Sequence, residues 1–130
     1  GFSFVKMALV PELASSYFLP QLVGLGRAQE WCLTARMVEG EEALRAGLVS
    51  EVVPHEQLIA RACELGEMIG QHAPAAVARV KKVLEMNATD PDVQSVMLRE
   101  NAQNASARAE PDHKEALAAF MEKRTPVFRR

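Results

Sequence analysis

Gly40-Glu41-Glu42-Ala43-Leu44-Arg45-Ala46-Gly47-Leu48-Val49-Ser50-Glu51-Val52-Val53-Pro54 is the stretch whose reading settles the fold class. Its first half has helix chemistry. Gly40 opens a brief helix over Glu41 to Ala46, and Gly47 stands at the C′ position, where a left-handed residue ends a helix. Its second half has strand chemistry, because Leu48 to Val53 is rich in β-branched residues and Pro54 stops it. Helix, glycine stop, short extended run and proline stop follow one another with no room for a long sheet.

Outward from this stretch the pattern stays helical. Toward the N-terminus, Ala28, Trp31, Cys32 and Ala35 fall at i, i+3, i+4 and i+7, which predicts a helix over Arg27 to Arg36. Gly24 and Gly26 close the segment before it. That segment starts at Pro11, which suits a first helical turn, and Pro20 is expected to interrupt it. Gly1 to Val10 opens the chain with a β-like run. A strand needs partners for its backbone, and no other long strand exists here, so either it pairs with its own copy in another subunit or its neighbours lie upstream; the second is the favoured expectation, in which the chain is the C-terminal part of a longer protein. Toward the C-terminus, Leu58, Ala62, Leu65 and Ile69 keep helical spacing, and Pro74 opens a helix with the stripe Val77, Val80 and Leu84. Thr89 or Asp90 is expected to cap a helix starting at Pro91. Asp112 and Glu115 form a capping-box-like start for a last helix that Pro126 ends. The expected class is mainly α with one or two short strands.

Composition narrows the function. The 130 residues carry 15 Lys and Arg against 17 Asp and Glu, a net charge of −2, which excludes a strongly basic nucleic-acid binder and a polybasic membrane anchor. No run approaches eighteen apolar residues, so no membrane span is expected. Aromatic residues are 5% of the chain, too few for base-stacking platforms. Cys32 and Cys63 belong to no metal or redox motif and read as reduced thiols. His55, His72 and His113 share no metal-ligand spacing, so no metal is expected and the three read as helix-end surface residues. There is no phosphate-cradling glycine loop, and Ser15-Ser16 lacks the context of a nucleophile elbow.

One carboxylate stands apart. Glu12 is the only charged residue between Lys6 and Arg27. A single acid among apolar residues is the pattern of a proton-transfer group when water is excluded from it. The plainer alternative is a helix-start glutamate facing water and favoured by the helix dipole.

The order of segments resembles the C-terminal half of the crotonase, or enoyl-CoA hydratase/isomerase, superfamily. Pro11 through Leu19-Pro20-Gln21-Leu22-Val23-Gly24 resembles its "LPRLVG" segment. Arg27-Ala28-Gln29-Glu30 with Leu33-Thr34-Ala35-Arg36 resembles "RA.E..LTGR", with Ala35 where glycine is usual. Glu42 to Pro54 resembles "EA...GLV..VVP". Ala73-Pro74-Ala75 with Lys81-Lys82, and Asp112, Glu115, Phe120, Glu122-Lys123-Arg124 and Pro126-Val127-Phe128, complete the match.

The resemblance implies a crotonase-like α/β fold of which residues 1–53 are the end of the core and residues 54–130 a helical oligomerisation and CoA-covering region. It implies an acyl-CoA thioester as substrate, no separate cofactor because CoA is part of that substrate, and a homotrimer or dimer of trimers. Nucleic acid and membrane are not among the expected partners. A cytoplasmic, bacterial protein of fatty acid metabolism is the expected setting. Hydratases of the family carry a catalytic glutamate where this chain has Phe4. The segment Pro11-Glu12-Leu13-Ala14-Ser15-Ser16-Tyr17-Phe18-Leu19-Pro20 instead resembles the "PEG.SSY.FP" of Δ3,Δ2-enoyl-CoA isomerases. By that likeness Glu12 is the catalytic proton shuttle and Pro11, Leu13 and Tyr17 line the acyl site. Phe120 and Lys123 match positions near the adenine and phosphates of CoA. The donors that hold the thioester oxygen belong, in the family, to a preceding segment, so these 130 residues alone are expected to be inactive. The alternatives are an enoyl-CoA hydratase (a lyase) and a non-catalytic helical oligomerisation module.

Overall fold

The computed structural model describes residues 1–128. Seven α-helices follow one another: α1 (Ser15–Val23), α2 (Leu25–Thr34), α3 (Gly40–Arg45), α4 (Leu58–Gly70), α5 (Pro74–Asn87), α6 (Val93–Arg108) and α7 (Pro111–Met121). Short 3-10 turns precede α1, at Ser3–Met7, and α4, at His55–Gln57. No strand occurs among the described residues, which corrects the expectation of one or two. The β-like opening run forms the 3-10 turn Ser3–Met7, closed by Leu9 N–H donating to the Phe4 carbonyl at 3.0 Å. Leu48 to Val53 runs on without regular structure. Both runs have strand composition. Composition makes a strand only where a neighbour accepts the backbone hydrogen bonds, and neither run has that neighbour here.

The helices divide into two compact units, Gly1–Leu58 and a second from Ile59 onward. The first is built on Trp31, which is fully buried with Leu19, Val23, Ala28 and Ala46 around it. Phe2 stacks on the indole at 5.9 Å with the rings 10° from parallel. Gly24, at φ +81°, turns the chain so sharply that α2 starts on the next residue. A side chain in that conformation would be strained, so the glycine is required. α1 also runs straight through Pro20, where an interruption was expected. Leu19 and Val23 sit in the core on either side of it, and their burial outweighs the hydrogen bond that proline cannot make.

α3 ends as its sequence dictates. Gly47 N–H donates to Leu44 O at 3.0 Å and Leu48 N–H to Ala43 O at 2.9 Å. This is the paired closure in which a left-handed glycine satisfies two orphan carbonyls. It swings Leu48 against the core instead of into an extended ladder.

In the second unit the helix starts differ from expectation. Asp92, not Thr89 or Asp90, caps α6: its carboxylate accepts from Gln94 N–H at 3.1 Å and Ser95 N–H at 3.3 Å. An aspartate that satisfies two orphan donors outcompetes Pro91, which only presets one angle. α7 starts at Pro111 with no side-chain cap: Glu110 holds the cap position with its carboxylate paired to Arg79, and Asp112 falls inside the first turn instead of before it. Ala73 and Ala119 are the buried residues of this unit. No described helix is long and apolar enough to cross a membrane.

Candidate functional site

Glu12 sits at the head of α1 in an unusual turn. The two residues after it, Leu13 and Ala14, both adopt left-handed backbone conformations, at φ +54° and +59°. For residues other than glycine this costs roughly 1–2 kcal/mol each. Pro11 fixes the chain on the other side. The Glu12 carbonyl accepts two bonds from Ser15, one from its N–H at 3.0 Å and one from its hydroxyl at 2.6 Å. The Glu12 side chain is exposed.

Around the carboxylate the surface is apolar. Leu13 is 93% exposed and Val10 79%, and Met7, Leu9, Tyr17 and Phe18 are exposed as well. The Tyr17 and Phe18 rings meet edge to face at 5.1 Å. Pro11, Glu12, Leu13 and Tyr17 thus lie on one short segment, in which Glu12, Leu13 and Tyr17 are exposed. Phe120 and Lys123 lie in the second unit. Phe120 is 78% exposed beside exposed Leu117 and Met121. Lys123 follows α7 at φ +54°, its N–H donating to the Phe120 carbonyl at 3.2 Å.

Lys123 is flanked by a fixed ion-pair cluster. The Arg124 guanidinium grips Glu115 at 2.5 Å and Glu122 at 2.6 Å, and Val127 N–H donates to Glu115 at 2.9 Å. Arg124 and then the Val127 N–H hold the Glu115 carboxyl well below its usual range, at about 2. In the first unit Arg36 bridges Glu30 at 2.8 Å and Glu42 at 2.5 Å, and holds the Glu42 carboxyl at about 2. Among the described residues no three metal-binding side chains cluster.

Sequence reasoning placed His72 and His113 on plain helix ends. Both are exposed, and both also line a cavity of about 740 Å³ in the second unit, with Ile69, Val77, Leu84 and Phe128. The stripe Val77, Val80 and Leu84 and the spaced Ile69 form part of its wall, but periodicity within single helices does not show that residues of α4, α5, α6, α7 and the chain after α7 meet there. None of the six sequence candidates is among the residues that line it.

The exposed Glu12 carboxylate faces water within the described residues, which is the plainer of the two arrangements the sequence allowed. Comparison with known proteins assigns the family. Residues 1–130 match the family model described as "Enoyl-CoA hydratase/isomerase", and the chain belongs to that crotonase-type family. It is 35% identical over 124 residues to "Probable enoyl-CoA hydratase echA8" of Mycobacterium bovis, covering 95% of this chain and 48% of that protein. It is 30% identical over 125 residues to the mitochondrial "Delta(3,5)-Delta(2,4)-dienoyl-CoA isomerase" of Dictyostelium discoideum, covering 95% and 42%. The crystal structure of an enoyl-CoA hydratase/isomerase from Cupriavidus metallidurans superposes with a TM-score of 0.85 at 37% identity, covering 95% of this chain and 46% of that one. The chain spans about half the length of the curated relatives it matches.

Proposed function

We propose that the full-length protein moves the double bond of a 3-enoyl-CoA to the 2 position, with Glu12 carrying the proton. The observation that carries this reading is Glu12 itself, a solitary carboxylate between Pro11 and Leu13 on an apolar surface. The Glu12 carboxylate takes the proton from C2. The electron pair spreads over the thioester oxygen and C4, and protonated Glu12 returns the proton at C4, leaving the double bond between C2 and C3. One group serves both steps when both carbons lie within its reach. The donors that stabilise the thioester oxygen come, by family resemblance, from a segment outside these residues. Phe120 and Lys123 then bind the CoA moiety, and the working assembly is a homotrimer or a dimer of trimers.

A second reading, hydration of 2-enoyl-CoA, is favoured by the printed names of the relatives, most of which are hydratases. Phe4 speaks against it, since a phenyl ring cannot activate water at the position where hydratases carry glutamate. The test uses full-length protein supplied separately with 3-enoyl-CoA and 2-enoyl-CoA. Isomerisation should dominate, and Glu12→Gln should lower it by at least about 10³-fold. Faster water addition than isomerisation would favour the hydratase, and full activity in Glu12→Gln would remove the shuttle.

A further inference from the structure

The hydroxyl of Ser15 is spent on the backbone behind it, as that of Thr34 is on the Glu30 carbonyl at 2.7 Å. A serine at the start of a helix ordinarily caps it by accepting from a backbone N–H two or three residues ahead. Here the N-cap is Ala14, which has no group to offer, and Ser15 stands one residue too late. Its hydroxyl points backward and donates to the Glu12 carbonyl at 2.6 Å, beside its own N–H at 3.0 Å. The contrast with α6 is direct, because there Asp92 stands at the cap and holds Gln94 and Ser95 in the normal way. The α1 turn also keeps Leu13 and Ala14 left-handed with no glycine, and leaves the Leu13 side chain 93% in water. What it achieves is a backbone at Glu12 pinned from both sides, by the Pro11 ring before it and the double Ser15 contact after it.

We infer that Ser15 is a positioning residue: through the Glu12 carbonyl it holds the Glu12 carboxylate in the one direction proton transfer needs. The inference rests on the shuttle reading of Glu12 and adds the residue that aims it. Ser15 touches no reacting atom. Losing its hydroxyl removes one of the two Ser15 contacts on the Glu12 carbonyl and leaves the N–H bond and Pro11, so the Glu12 backbone is held less tightly, and small misplacements of a catalytic group are expensive in rate.

The experiment measures 3-enoyl-CoA isomerisation by four full-length variants: Ser15→Ala, Ser15→Thr, Glu12→Gln and the double variant Ser15→Ala/Glu12→Gln. Ser15→Ala should lower kcat about 10-fold with KM changed by less than roughly twofold, and Ser15→Thr, which keeps the hydroxyl, should restore it. In the Glu12→Gln background, Ser15→Ala should have no further effect, because there is no carboxylate left to aim. An unchanged kcat in Ser15→Ala overturns the inference while leaving the shuttle standing. An equal loss in both backgrounds also overturns it, since that marks a general structural role. Full activity in Glu12→Gln overturns the shuttle and this inference together.

Discussion

Lys123 and Ala35 hold the same left-handed conformation after a helix, at φ +54° and +48°, and only one has a packing reason for it. Ala35 is 1% exposed, and its buried methyl contributes about 0.8 kcal/mol, which offsets part of the roughly 1–2 kcal/mol that the conformation costs. This explains how alanine stands where the family favours glycine. Lys123 is exposed and gains no such return. The CoA phosphates are the contact proposed above for this exposed cation beside Phe120. Lys123→Gly separates strain from function. It should stabilise the fold by about 0.5–1 kcal/mol in thermal or urea unfolding. In the full-length enzyme it should raise KM for CoA thioesters while kcat holds, because uniform binding is lost. A stabilised variant with unchanged KM would leave Lys123 without a role in binding.

At the scale of elements, the end of α7 is tied down by Glu115, which receives Arg124 and the Val127 N–H. Its carboxyl titrates at about 2 in the folded chain against an ordinary value of 4.5. A carboxyl depressed on folding contributes stability that is present above the unfolded value and lost as pH falls through the folded one. Acid should therefore loosen the segment after α7 between pH 4.5 and 2, read by circular dichroism or by hydrogen exchange at Val127. Glu115→Gln should be less stable at neutral pH and should show a shallower acid dependence across that window. An unaltered acid profile would mean that the cluster contributes nothing to folding.

The same elements show how much of this structure the sequence discloses. Gly47 and Pro74 fix helix ends by local chemistry, since only glycine suits the left-handed stop and proline suits a first turn, and both act where periodicity and punctuation place them. Leu48 to Val53 fails as a strand because its outcome depends on a partner that composition does not contain. The turn at Leu13-Ala14 is invisible in sequence because no glycine announces it. Glu12 was legible as an isolated charge, whereas the Ser15 contact that aims it was not, because a serine near a helix start ordinarily signals a cap.

For the whole molecule, exposed area is the informative quantity. Within each unit large apolar side chains face outward: Met97, Leu98, Leu117, Phe120 and Met121 in the second, and Val10, Leu13 and Leu25 in the first, are all more than half exposed. α4, α5 and α6 have no buried residue at all. Apolar faces of this extent call for cover, by the rest of a longer chain or by further subunits. The family relatives have the length to supply the first, and the proposed trimer supplies the second. The 130-residue chain on its own should therefore self-associate in sedimentation experiments, with a weight that rises with concentration. Leu117→Lys together with Phe120→Lys should shift that association toward smaller species. If the thioester-oxygen donors come from outside these residues, as the proposed function holds, the chain on its own should also turn over no enoyl-CoA. A stable monomer with native helical content across that concentration range would show that these faces tolerate water, and the need for a covering partner would disappear with it.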